Sequence, residues 1–133
     1  MWKNALIGVV LLGFAWSYPP TRRPMTNALA PALERLGPAG HWVLEPTRRY
    51  DARNEVEFIV EQVQIARTEG RPVPNARTFQ EWLRQRVTTK REGKDPWGEP
   101  YYLVHVSNTL SVGSTGSDRA PNTGDDIRKT IPF

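Results

Sequence analysis

The chain has 133 residues and a formal net charge of +4, and it contains no cysteine. That length is room for one modest domain, which can bury a core without cross-links. The lack of cysteine excludes a disulfide framework, a thiolate metal site and a cysteine nucleophile. The arginines and lysines between positions 22 and 94 are scattered, with neither zinc-finger spacing nor an aromatic-rich RNA-binding signature among them, so they read as a solvated basic surface. His41 and His105 stand outside any motif, and neither reads as catalytic.

Residues 1–18 open with Lys3, continue through twelve uncharged, mostly apolar residues from Ala5 to Trp16, and stop before Pro19 and Pro20. A spanning helix needs about 20 predominantly apolar residues, so the segment reads as the core of a signal peptide or as a short membrane anchor. Gly13-Phe14-Ala15 places small residues where a signal peptidase reads, which suits removal after Ala15. In a retained segment, Trp2 and Trp16 would suit the two membrane interfaces.

Residues 19–50 carry Pro19, Pro20, Pro24, Pro31, Pro38 and Pro46 with Gly37 and Gly40. They read as a linker with one short helix, such as Asn27 to Leu36. A globular domain is expected over 51–133. It starts with Asp51 as an N-cap, after which Ala52, Val56, Ile59, Val63 and Ala66 recur at steps of four and three. That spacing predicts an amphipathic helix ending near Gly70. Beyond the "RPVP" break, Thr78 and Glu81 have the spacing of a capping box. Phe79, Trp82, Leu83 and Val87 supply the apolar face of a second helix. "YYLVHV", Tyr101 to Val106, and "TLSV" after a Ser-Asn turn predict an antiparallel hairpin. Helices first and strands last give an α+β domain, with the helix packed on a small antiparallel sheet.

Asp95-Pro96-Trp97-Gly98-Glu99-Pro100-Tyr101 is a turn with a physical logic of its own. Asp95 can cap it, Pro96 sets its first corner, Gly98 permits a positive φ and Trp97 packs beneath. Together with "TEGRPVPNARTFQEWL" between the helices and "SVGSTGSDRAPNTGDDI" at the close, this string resembles the major pseudopilin of type II secretion over roughly residues 52 to 127. In that family the sheet is followed by a loop that binds one calcium ion. Gly116-Ser117-Asp118 and Gly124-Asp125-Asp126-Ile127 align with that loop. The resemblance implies Asp118 and one or both of Asp125 and Asp126 as side-chain ligands, with carbonyls near Thr115 and Thr123 completing the shell.

Calcium takes about six to eight oxygen ligands in irregular geometry and can order a segment that has no core of its own. Without the family, the same segment reads as a flexible acidic turn with Asp125 as a helix cap. Arg119 stands where the family usually has a glycine and puts a cation beside the site. The amino-terminal part departs further. Its apolar segment is short, has no acidic residue, and is separated from the helix at 52 to 69 by the six prolines.

The resemblance implies a non-enzymatic structural subunit of a type II secretion or pilus-type machine in a bacterial cell envelope. Such a subunit is exported or anchored in the inner membrane, with its globular domain in the periplasm. Its implied partners are other pseudopilin or secretion-machine subunits, and the inner membrane through the N-terminal segment. Neither nucleic acid nor a small-molecule substrate is implied. The alternative is a stand-alone exported or anchored envelope protein that uses the same domain as a binding module. Three aspartates with no positioned histidine, lysine or nucleophile make no recognisable acid/base pair.

Overall fold

The computed structural model describes residues 29, 31, 32, 34, 35, 37–87, 89 and 91–132. The expected signal or anchor at residues 1–18 lies outside them. Among the described residues no helix is long and apolar enough to cross a membrane. Within the expected short helix, Leu29, Pro31, Ala32 and Glu34 are helical.

Helix α1 spans Pro38–Thr68 and contains Pro46. It therefore begins well before Asp51, which lies inside the helix rather than capping it. Pro38 sits at the first position, where a missing N–H costs nothing. Pro46 removes one internal hydrogen bond, a loss of about 3 kcal/mol in an ordinary helix, yet the helix continues past it. The chain divides into two compact units just after this proline, at Thr47 and Arg48.

In the second unit, Ala52, Val56, Ile59, Val60, Val63 and Ala66 of α1 are all buried, as their helical spacing requires. The helix stops at Gly70, whose φ of +66° reverses the chain. The Gly70 amide donates to the Arg67 carbonyl at 3.1 Å and the Arg71 amide to the Ala66 carbonyl at 2.8 Å. This glycine-capped arrangement satisfies carbonyls that the helix end would leave open.

Helix α2 spans Phe79–Arg86. The expected capping box is not formed. Thr78 is already in helical conformation and makes no side-chain cap. Asn75, three residues upstream, takes that role, its side-chain oxygen accepting from the Arg77 and Thr78 amides at 2.9 and 3.0 Å. Glu81 instead accepts from Arg84 and Gln85, each at 2.6 Å. Phe79, Leu83 and Val87 are buried, and Trp82 packs against the core with its ring stacked on Phe79 at 6.4 Å.

Three strands, β1 (Tyr102–Val106), β2 (Thr109–Ser114) and β3 (Ile127–Pro132), form one antiparallel sheet in the order β1-β2-β3. The expected hairpin is β1 and β2, with Ser107 in the positive φ of 52° that a primed two-residue turn needs. β3 was not expected. Leu103 faces Val112, and Leu110 faces Ile131. Those four side chains join Val56, Ile59, Val60, Val63, Phe79, Leu83 and Tyr101 in one core, so the domain is α+β with a helix on a small sheet. Val104 and Val106 point away and are exposed, since alternate residues of a strand face opposite sides.

One polar contact crosses this core. The Tyr101 hydroxyl donates to Glu55 Oε2 at 2.6 Å, and both residues are buried. Burial, first, and the neighbouring Glu55 carboxylate, second, push the Tyr101 phenol far above its ordinary range, which keeps it a donor. The other Glu55 oxygen has no hydrogen-bond partner and only the Arg91 guanidinium at 4.0 Å.

Replacing Ile59 by Ala should cost about 2–5 kcal/mol and replacing exposed Glu61 by Ala well under about 1 kcal/mol. Denaturant melts of the two variants check this, and equal losses would mean that the other face of α1 is the buried one. Tyr101→Phe strands a buried carboxylate and should cost about 1–3 kcal/mol. Its partner change Glu55→Gln should cost less, because a glutamine oxygen can still accept the phenol. Calorimetry on the pair separates the two.

Candidate functional site

The strand ends and the loop from Gly113 to Asp126 bring the sequence's two most distinctive stretches together. Asp95 begins the turn and is 0% exposed. Its Oδ1 accepts from the Trp97 and Glu99 amides at 3.0 and 2.9 Å, and its amide donates to the Glu99 carbonyl at 2.7 Å. Gly98 has a φ of +93° and Trp97 is buried, as the turn chemistry predicts. The second carboxylate oxygen, Oδ2, receives the Ser114 hydroxyl at 2.6 Å. Ser114 in turn accepts the Gly116 amide at 3.1 Å. A buried carboxylate therefore joins the turn to the first residues of the loop.

The loop is organised around Asp125. Its Oδ2 accepts from the Ser117 amide at 2.5 Å, the Ser117 hydroxyl at 2.7 Å and the Asp118 amide at 3.1 Å. Its Oδ1 and its carbonyl both accept from the Arg49 guanidinium of α1. Gly116 lets this happen. Its φ is +73°, and a Cβ there would stand 2.4 Å from the Asp125 carbonyl oxygen, closer than any side chain tolerates. The Ser117 hydroxyl, then the amides of Asp118 and Ser117 and the charge of Arg49, outweigh burial and hold the Asp125 carboxyl below its usual range.

Asp126 is turned the other way, with a side chain only 3% exposed. Its Oδ2 accepts from Arg128 at 2.9 Å, the Asn122 amide at 3.0 Å and the Tyr102 hydroxyl at 3.2 Å. Tyr102 reaches it by lying flat across Gly113, where a Cβ would come within 2.6 Å of the phenol. Burial first, and the Asp126 charge second, push the Tyr102 phenol up to about 12. Asp118 is exposed and its Oδ1 accepts the Ala120 amide at 3.0 Å. Arg119 has a φ of +56°, the conformation that a glycine adopts most easily, and its guanidinium stands 4.0 Å from Glu99.

The five residues expected around calcium thus share one loop but do not form one shell. The Thr123 carbonyl accepts the Asp126 amide at 3.4 Å. The Thr115 hydroxyl is buried without a hydrogen-bond partner. Both Asp125 oxygens and Asp126 Oδ2 are taken by N–H, O–H or guanidinium donors, and among the described residues no three acidic or histidine side chains converge as a metal site would need. As arranged, this donor set does not fit a calcium ion, which needs acceptor oxygens facing a common centre. Nor is Asp125 a helix cap; it is the acceptor at the loop's middle.

Arg49, Ser114, Ser117, Tyr102 and Arg128 carry much of the site; Ser114, Ser117 and Tyr102 lie within distinctive stretches of the sequence without being singled out, and Arg49 and Arg128 lie outside them. Beside the loop, Arg49, Arg53, Val56 and Glu57 of α1 and Ile127, Arg128 and Lys129 of β3 line a cleft of about 460 Å³. Four of its charged groups, Arg49, Arg53, Arg128 and Lys129, are basic, against Glu57 and the Arg128-bound Asp126.

Because the folded state holds Asp125 more acidic than the unfolded chain does, its stabilisation is complete above the unfolded value of about 3.9 and is lost as pH falls through the lower folded value. Between about pH 5 and pH 2 the melting temperature of the unchanged protein should fall more steeply than that of Asp125→Asn. Thermal melts across that range check it, and parallel curves would show that the Asp125 proton is not coupled to folding. No protein-family model, curated protein or solved structure matches the chain, so the residues themselves carry the functional reading.

Proposed function

We propose that this chain is a non-enzymatic, pseudopilin-like structural subunit of a type II secretion or pilus-type machine, with its globular domain on the periplasmic side of a bacterial inner membrane. The observation that carries the reading is the Asp95–Ser114–Gly116 link. The Asp-Pro-Trp-Gly turn and the glycine- and aspartate-rich loop, which carry the resemblance in sequence, are bonded to one another at the end of a small antiparallel sheet under a long helix. Every carboxylate of the loop is engaged in holding backbone or side chains, which suits a structural role.

The basic cleft favours a second reading, a stand-alone envelope protein whose domain binds an acidic partner. Arg53 and Lys129, on opposite walls, provide cations for such a contact.

Fractionation of the source cell should place the chain in the envelope. Since the chain has no cysteine, a single cysteine at exposed Tyr50 or Phe58 of α1 reports neighbours without interference. Copies in an assembled machine should give disulfide-linked dimers that depend on the other machine subunits. A chain found wholly in the cytosol, or one in the envelope that never cross-links, would overturn the subunit reading, and the second of these outcomes would favour the stand-alone one.

A further inference from the structure

We infer that the Arg49 guanidinium acts as the resident cation of the Gly113–Asp126 loop, so that the loop is ordered without a metal ion. The inference rests on the geometry of the loop and not on the proposed role in secretion.

A polar loop with no core of its own needs something to offset the charge gathered at its middle. Asp125 supplies that charge. Three donors from Ser117 and Asp118 converge on its Oδ2, an arrangement that stabilises the ionised form. Its side chain is 21% exposed, so water neutralises the charge only in part. Arg49 reaches it from α1, 76 residues away in sequence, and binds both Oδ1 and the main-chain carbonyl of the same residue. Carboxylate and carbonyl oxygens are also the ligand types that calcium takes. The planar, always-charged guanidinium can satisfy both through directed hydrogen bonds.

Asp126 has its own guanidinium in Arg128. Among the described residues only Asp118, of the three loop aspartates, has no cationic partner, and it spends Oδ1 on the Ala120 amide. A divalent ion entering here would have to displace Arg49 while standing close to Arg128. The two arginines therefore do chemically what the ion would do. They also tie the loop to α1 and to β3, which an ion bound within the loop alone would not.

The test uses the full chain and reads the loop directly, by amide hydrogen exchange at Ser117 and Asp118 together with the melting temperature. In the unchanged protein, millimolar calcium chloride and excess chelator should give the same melting temperature and the same exchange. Arg49→Ala should speed exchange at both amides by roughly tenfold, the scale of one charge-assisted hydrogen bond, while amides of the core strand at Leu110 and Val112 keep their protection. Arg49→Lys, which retains the charge but not the two-pronged geometry, should fall between. If Arg49→Ala melts too low to study, Arg49→Lys and Asp125→Asn give the same comparison at smaller amplitude. A melting temperature that rises by several degrees with calcium and falls with chelator would overturn the inference, as would loop exchange indifferent to Arg49.

Discussion

The carboxylate of Asp95 is the constraint from which the loop end of this domain follows. It is wholly buried, and a polar group in that position is tolerable only when its oxygens are met by donors. One oxygen closes the Pro96–Gly98 turn on two backbone amides, and the other receives the hydroxyl of Ser114. The turn that leads into β1 and the residue that ends β2 are thereby held at one point. Ser114 passes the constraint to Gly116, where the loop begins, so the position of Asp125 depends on a carboxylate thirty residues earlier in the chain.

Two kinds of cohesion then share the domain. On the inner face of the sheet, Leu103, Leu110, Val112 and Ile131 close over Val56, Ile59, Val60 and Val63 of α1, and apolar burial supplies the stability. Between Ser114 and Ile127 there is almost nothing apolar to bury, and order comes from directed polar contacts instead. Glycines mark the boundary between the two regimes. Gly113 admits the Tyr102 ring against the backbone of β2, and Gly116 admits the Asp125 carbonyl; a methyl group at either would collide with what the loop needs beside it.

Such a division suits the proposed structural role, in which a surface is held in shape. The core of α1 and the sheet can tolerate exchange of one apolar side chain for another, whereas the loop depends on particular donors at particular distances. A contact surface built on the loop would therefore be sensitive to charge and salt in a way that the core is not. Exposed ion pairs such as Arg49–Asp125 are individually weak, but here the pair adds to a carboxylate already fixed by three other donors.

What the sequence determined by itself is whatever depends on neighbours in the chain. The 3.6-residue spacing of Ala52 to Ala66, the β-branched and aromatic run at Tyr101–Val106 and the Asp95–Gly98 turn all follow from local sterics and local hydrogen bonds, and each is found where those rules place it. Local rules also misled at the helix starts. Proline chemistry argued against a helix through Pro46 and capping statistics favoured Thr78, but the long helix absorbed one missing hydrogen bond and Asn75 took the cap. Strand β3 was not legible because "IRKTIP" has only Ile127 and Ile131 to mark it, and its conformation is decided by pairing with β2. The loop's carboxylates were legible as a cluster, but their partners were not. Arg49 and Asp125, Glu55 and Tyr101, and Asp95 and Ser114 are separated by 76, 46 and 19 residues. No periodicity links positions that far apart; the packing of α1 against the sheet brings the first two pairs within reach of a hydrogen bond, and the pairing of β1 with β2 brings the third.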